Sequence, residues 1–169
     1  MSIQQTIVLG IISSVIASIV FYLWMILIKP RFIISDKICW SKSDDEYDYL
    51  MVKVANTTRS FLTNLSYSLI YCVEGEDGLK DIKTIEPLKA PIKHMNKYTS
   101  KNTDYAVRIT YKVKKDEYPL NDSTFFMFTF QAYHSFSNAM RIKKKTYYKN
   151  DMQKGIFETG RSTKILSHR

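Results

Sequence analysis

Lys89, Lys93, Lys97 and Lys101 recur at every fourth position, with His94 and Tyr98 among them and no acid interrupting. On a helix that spacing would bring the ammonium groups near one face. Like charges at that distance repel, so such an array is easier to justify if an anion shares that face, from a ligand or from a neighbouring subunit. The plainer alternative is a solvated basic loop. A second set is read from alternation. Arg108 and Lys112 share one strand face, and Arg141, Lys143 and Lys145 share another with Tyr147. Were those strands neighbours in one sheet, they would form a basic platform. There, arginine could fork onto phosphate and Tyr147 could stack a base. Here the alternative is an ordinary solvent face, where lysine also guards a sheet edge.

The residues needed for catalysis are not grouped. No Gly-x-Ser-x-Gly elbow, His-Glu-x-x-His pair or phosphate-binding Gly-Lys-Ser/Thr loop occurs. His94, His134 and His168 are scattered, and with Cys39 and Cys72 they show no metal-ligand spacing. Asp44-Asp45-Glu46 reads as an exposed acidic turn. The expectation is a non-enzyme without metal or cofactor. The triplets at Asn56, Asn64 and Asn121 match the glycosylation pattern, but in a reducing compartment they are turn and loop chemistry.

The elements that would position these groups have mostly a period of two. Leu50, Val52 and Val54 alternate with Met51, Lys53 and Ala55; Tyr67, Leu69, Tyr71 and Val73 alternate with Ser68, Ile70 and Cys72. Tyr105, Val107, Ile109, Tyr111 and Val113 point one way and Ala106, Arg108, Thr110, Lys112 and Lys114 the other. Phe125 to Phe136 is aromatic on both faces, as in a central strand. Glu74–Gly78 and Asn138-Ala139 are turn signals. A short helix is expected only within 87–102. Six to eight short strands with frequent turns give an immunoglobulin-like antiparallel β-sandwich.

Ahead of that domain, Ile7 to Ile28 carries no charged side chain, and all 25 Lys/Arg and 16 Asp/Glu follow it. A helix over that run spans roughly 33 Å, enough for a bilayer core of about 30 Å. The bulky stretch Leu23–Ile28 offers no cleavage site, so a permanent transmembrane anchor is expected. Lys29, Arg31 and Lys37 on its C-terminal flank place the following domain in the cytosol. Lys29 and Arg31 could also touch anionic lipid headgroups; the plainer alternative is that they set topology alone. Gly10, Ser14 and Ser18 form a small-residue face suited to helix association in the membrane. The chain therefore divides into an anchor with its basic flank (1–31), a sandwich (32–160) and a loose tail (161–169). Its net charge of +9 favours anionic partners.

The order Lys29-Pro30-Arg31, Phe32-Ile33-Ile34-Ser35, Tyr49 to Asn56, Tyr147-Tyr148, then Asp151, Gly155 and Phe157 resembles the immunoglobulin-like cytoplasmic domain of inward-rectifier potassium channels. That resemblance implies a sandwich, a fourfold assembly and a ligand-sensing domain beside a membrane. It does not carry potassium selectivity, because there is one apolar helix and no Thr-x-Gly-Tyr-Gly filter. By architecture the chain is also similar to single-pass, cyclic-oligonucleotide-gated membrane effectors of bacterial antiphage defence, of the type III CRISPR-associated kind. The expectation that follows is an inner-membrane homo-oligomer, a tetramer, whose cytosolic domain binds an anionic nucleotide second messenger, a cyclic oligoadenylate, and perturbs the bilayer. The competing expectation is a membrane-anchored interaction module that recruits a partner without a small ligand.

Overall fold

The structure is a computed structural model that describes residues 3–42, 46–75, 78–99, 103–115 and 117–166. Lys101, His168, Asp44 and Asp45, and part of the Glu74–Gly78 turn lie outside the described residues.

A single helix, α1 (Ile3–Leu27), opens the chain. It starts four residues before the charge-free run because Gln4, Gln5 and Thr6 are compatible with a helix. It stops before Pro30, which disfavours helical geometry at the residue before it. Ile3–Met25 is long and apolar enough to cross a membrane, and none of it is buried against the rest of the chain. The Ser13 and Ser18 hydroxyls donate to the Gly10 and Ser14 carbonyls at 3.0 and 2.9 Å, so both are satisfied within the helix. What Gly10 and its neighbours present outward is small size.

The strands that follow are β1 (Phe32–Ile34), β2 (Ile38–Lys42), β3 (Tyr47–Asn56), β4 (Leu62–Gly75), β5 (Gly78–Ile85), β6 (His94–Met95), β7 (Ala106–Lys114), β8 (Thr124–His134), β9 (Met140–Tyr147), β10 (Met152–Lys154), β11 (Ile156–Phe157) and β12 (Ile165–Leu166). One sheet has β3 at its centre, with β7 along one side and β1 and β2 sharing the other; β10 extends it in parallel beside β2. The facing sheet runs β5-β4-β8-β9, with β6 continuing the β5 edge. Taking β1 and β2 as a broken strand A, β3 is B, β4 is C, β5 is C′, β7 is E, β8 is F and β9 is G. Every pairing of an immunoglobulin-like sandwich among these strands is present. The main chain of Pro87 and Leu88 bridges to β7, where strand D would lie.

The core lies between the sheets. Phe126, Phe128, Phe130 and Ala132 of β8 point inward against Val52, Val54, Leu69 and Phe32. Phe32 meets Phe130 edge-to-face at 4.9 Å. The expected alternation of β7 holds: Ile109, Tyr111 and Val113 are buried, Arg108, Lys112 and Lys114 exposed.

A third layer covers part of the outer face of the β3 sheet. Cys39, Lys53 and Ala55 point outward from that sheet and are buried all the same. The Cys39 thiol donates to the Gly155 carbonyl at 2.7 Å. The Lys53 ammonium donates to the carbonyls of Glu158 and Ser162, the latter at 2.6 Å. Gly155 adopts φ +146°, and a Cβ there would collide with the Leu166 carbonyl oxygen. The stretch expected to be loose therefore supplies part of this strap, with β12 paired to β11.

Candidate functional site

Five groups of the β8–β9 hairpin bind the segment that links α1 to the sandwich. The Ser137 hydroxyl donates to the Ile28 carbonyl at 2.6 Å, Arg141 to that of Pro30 at 3.3 Å, and Lys143 to that of Phe32 at 2.8 Å. Tyr147 donates to the Ser35 carbonyl at 2.8 Å, and Lys145 pairs with Asp36 at 2.8 Å. Trp24 of α1 also packs edge-on against Phe136 at 5.8 Å. The alternating cations of β9 are thus a clasp. The physical cause is main-chain satisfaction: β1 pairs only with β3, so the carbonyls on its other side need donors from elsewhere.

This corrects the predicted platform. Arg108 and Lys112 lie on β7 in one sheet, and Arg141, Lys143 and Lys145 lie on β9 in the other. Tyr147 is fully buried, so its ring has no face for a base. Lys112 sits over the Tyr47 ring at 3.8 Å, and Arg108 stands opposite Lys53.

The second predicted set also changes. Residues 87–99 contain no helix; they run as bends and extended chain with β6. Pro87 and Pro91 break the helical pattern that the lysine spacing suggested. Lys89, Lys93, His94 and Lys97 are exposed along that stretch, with His94 in β6. Tyr98 packs edge-on against Tyr105 at 4.9 Å, with the Arg161 guanidinium 5.7 Å from its ring.

The group that does converge is at the other end of the sandwich from α1. From Asn56, beside β1, to Asp48 the strand runs roughly 27 Å at about 3.4 Å per residue. There a cleft of about 270 Å³ opens between the ends of the two sheets. Trp40, Leu50, Tyr118, Phe126 and Met152 form its apolar walls, and Lys114, Lys115 and Lys149 its cationic edge. Tyr71 braces Tyr118 edge-on at 5.3 Å. Burial, then the neighbouring Glu117, pushes the Tyr118 phenol above its usual range, so it stays a donor. Lys114 makes a loose, exposed ion pair with Glu46 at 3.6 Å.

Asp48 sets the polarity of this cleft. Its Oδ1 is buried and has no hydrogen-bond partner among the described residues. A buried acceptor left unpaired is costly, and a ligand donor would relieve it once the cleft opens enough to expose that oxygen. Aromatic walls, a cationic edge and one waiting acceptor suit an anion that carries a flat ring with an N–H group. Sequence reading missed this group because it draws on six separate segments between Trp40 and Met152. The one available signal was Asp48, an acid inside an otherwise apolar alternation. Among the described residues no cluster of His, Cys, Asp or Glu could hold a metal ion.

No protein-family model matches this chain, and no curated protein matches it.

Proposed function

We propose that the protein is a membrane-anchored sensor-effector in which α1 crosses the bacterial inner membrane and the sandwich, in the cytosol, takes an anionic nucleotide in the distal cleft. The orphaned Asp48 Oδ1, set between aromatic walls and three lysines, carries this reading. The acceptor suits the exocyclic amine of adenine, Trp40 or Tyr118 suits stacking, and the lysines suit phosphate. At about 270 Å³ the cleft has the scale of one nucleotide unit. A cyclic oligoadenylate would then seat one unit per protomer, which calls for a homo-oligomer; the resemblance to channel domains favours a tetramer. The small face of Gly10, Ser14 and Ser18 suits helix association in the bilayer. Lys29 and Arg31 after the helix favour a cytosolic domain. Occupancy would act on the membrane through the β9 clasp, in antiphage defence. The reading assigns no reaction to the chain.

Isothermal titration of the detergent-solubilised full chain with cyclic oligoadenylates of several ring sizes tests it. Binding is expected, and Asp48→Ala and Lys149→Glu are expected to remove it while leaving the fold intact. Absence of heat with every ring size would end this reading.

A second reading, an interaction module without a small ligand, is favoured by the exposed Ile82, Met140 and Ile142 of the β5-β4-β8-β9 sheet. Stoichiometric capture of one protein that is lost in Ile142→Glu and unaffected by Asp48→Ala would select it.

A further inference from the structure

A second cavity, of about 410 Å³, opens where α1 meets the sandwich. Lys29, Arg31 and Arg59 line it, together with Thr57, Thr58 and His134, and no acidic side chain among the described residues does. None of the three cations makes an ion pair among the described residues. Three uncompensated cations around one hollow form the local field of an anion site.

The loop that presents Arg59 is fixed from within. The buried Asn56 carboxamide donates to the Ser60 and Asn96 carbonyls, each at 2.8 Å. Its oxygen accepts from the Thr58 amide at 2.9 Å and the Thr58 hydroxyl at 2.7 Å. The Thr57 amide donates to the Arg31 carbonyl at 2.9 Å, and the Tyr98 amide to that of Thr58 at 2.8 Å. The main chain that presents Arg31 and Arg59 is therefore held on one frame, and only their exposed side chains would have to order around an anion. His134 adds a donor. Its Nδ1 accepts from the Ser137 amide at 3.2 Å, which leaves the proton of the neutral ring on Nε2.

The cavity begins at Ile28 and Lys29, the residues directly after α1. If α1 spans a bilayer, this is headgroup depth. We infer that the cavity binds the phosphate of an anionic phospholipid headgroup, with Lys29, Arg31 and Arg59 as its cationic contacts and residues 57–60 as the cradle. The inference rests on the anchoring reading above. It goes beyond flanking charge, because Arg59 comes from a loop 28 residues further along the chain than Arg31 and is brought there only by the fold.

The full chain is reconstituted in vesicles of phosphatidylcholine mixed with phosphatidylglycerol, floated on a gradient, extracted gently, and its retained lipid identified by native mass spectrometry. In parallel, inorganic phosphate is titrated against the lipid-free chain in detergent, with the amide resonances of Thr57 to Ser60 as the readout. The expected result is selective retention of phosphatidylglycerol, reduced about tenfold by Arg59→Glu and also by Lys29→Gln, unchanged by the surface control Lys89→Glu, and no shift with inorganic phosphate. A chain that floats yet retains the lipid equally in Arg59→Glu overturns the site and leaves anchoring standing. An Arg59-dependent shift with inorganic phosphate and no retained lipid reassigns the site to soluble phosphate. A chain that fails to float overturns the anchoring reading and this one with it.

Discussion

The ammonium nitrogen of Lys143 lies 2.8 Å from the carbonyl oxygen of Phe32, joining the last strand of one sheet to the first strand of the other. The same ammonium stands 5.6 Å from the Phe32 ring. Phe32 is the first strand residue after the helix, so this bond fixes how the sandwich hangs from α1. Lys143→Met keeps the apolar stem and removes the donor. A loss of about 1–3 kcal/mol is expected from the stranded carbonyl. Chemical denaturation gives the cost, and faster amide exchange across Phe32 to Ile34 shows where it falls. Unchanged exchange there would mean that the clasp does not hold β1.

Lys53 is a buried ammonium whose partners are main-chain carbonyls of the C-terminal strap. Burial, followed by the nearby Arg108, lowers its pKa, while Glu158 acts in the other direction. Lys53→Met replaces it with a side chain of similar shape but leaves the Glu158 and Ser162 carbonyls without a donor. The strap should detach before the sandwich unfolds. Limited proteolysis should then cut within 158–166 in the variant while the parent resists, and equal resistance would refute the tie.

Tyr111 is completely buried, and its hydroxyl has no partner among the described residues. Burial, and after it the neighbouring Tyr67 and Tyr147, holds the phenol far above its usual range, so it stays neutral. Tyr111→Phe removes an unsatisfied polar group and keeps the ring. Stability should rise by about 1–2 kcal/mol, within the cost of an orphaned donor. A lower melting temperature in the variant would show that the hydroxyl is satisfied in solution.

His134 gives the fold a pH dependence. Burial holds its imidazole below the usual 6.5. The unfolded chain therefore takes up a proton below about pH 6.5 while the folded protein does not, and stability falls as pH drops through that window until the folded-state pKa is reached. Protonation would also oppose the Ser137 amide, which needs Nδ1 as an acceptor. His134→Asn keeps an acceptor and removes the titration, so its unfolding midpoint should change less between about pH 7 and pH 5. Parallel profiles for parent and variant would refute the assignment.

Local chemistry was legible in the chain. A run without charge can satisfy its backbone as a helix and has no polar face to bury, which is why α1 could be read directly. Alternation told which side chains of β7 share a face, and it also exposed the aromatic character of β8. The turn residues did what their types allow: Asn138 adopts φ 52° between β8 and β9, and Asn121 accepts from the Ser123 amide at 2.9 Å. The lysine period in 87–102 misled because two prolines outweigh a charge spacing.

Which strands are neighbours was decided only in three dimensions. A period of two assigns faces, but β7 and β9 read alike and belong to different sheets. The partners of Arg141, Lys143 and Tyr147 are main-chain carbonyls, which every residue carries and no sequence pattern marks. The distal cleft and the junction cavity each gather side chains from segments far apart in the chain. Their chemistry depends on distances that the pairing of β3 with β1 and β7, and of β8 with β4 and β9, alone establishes.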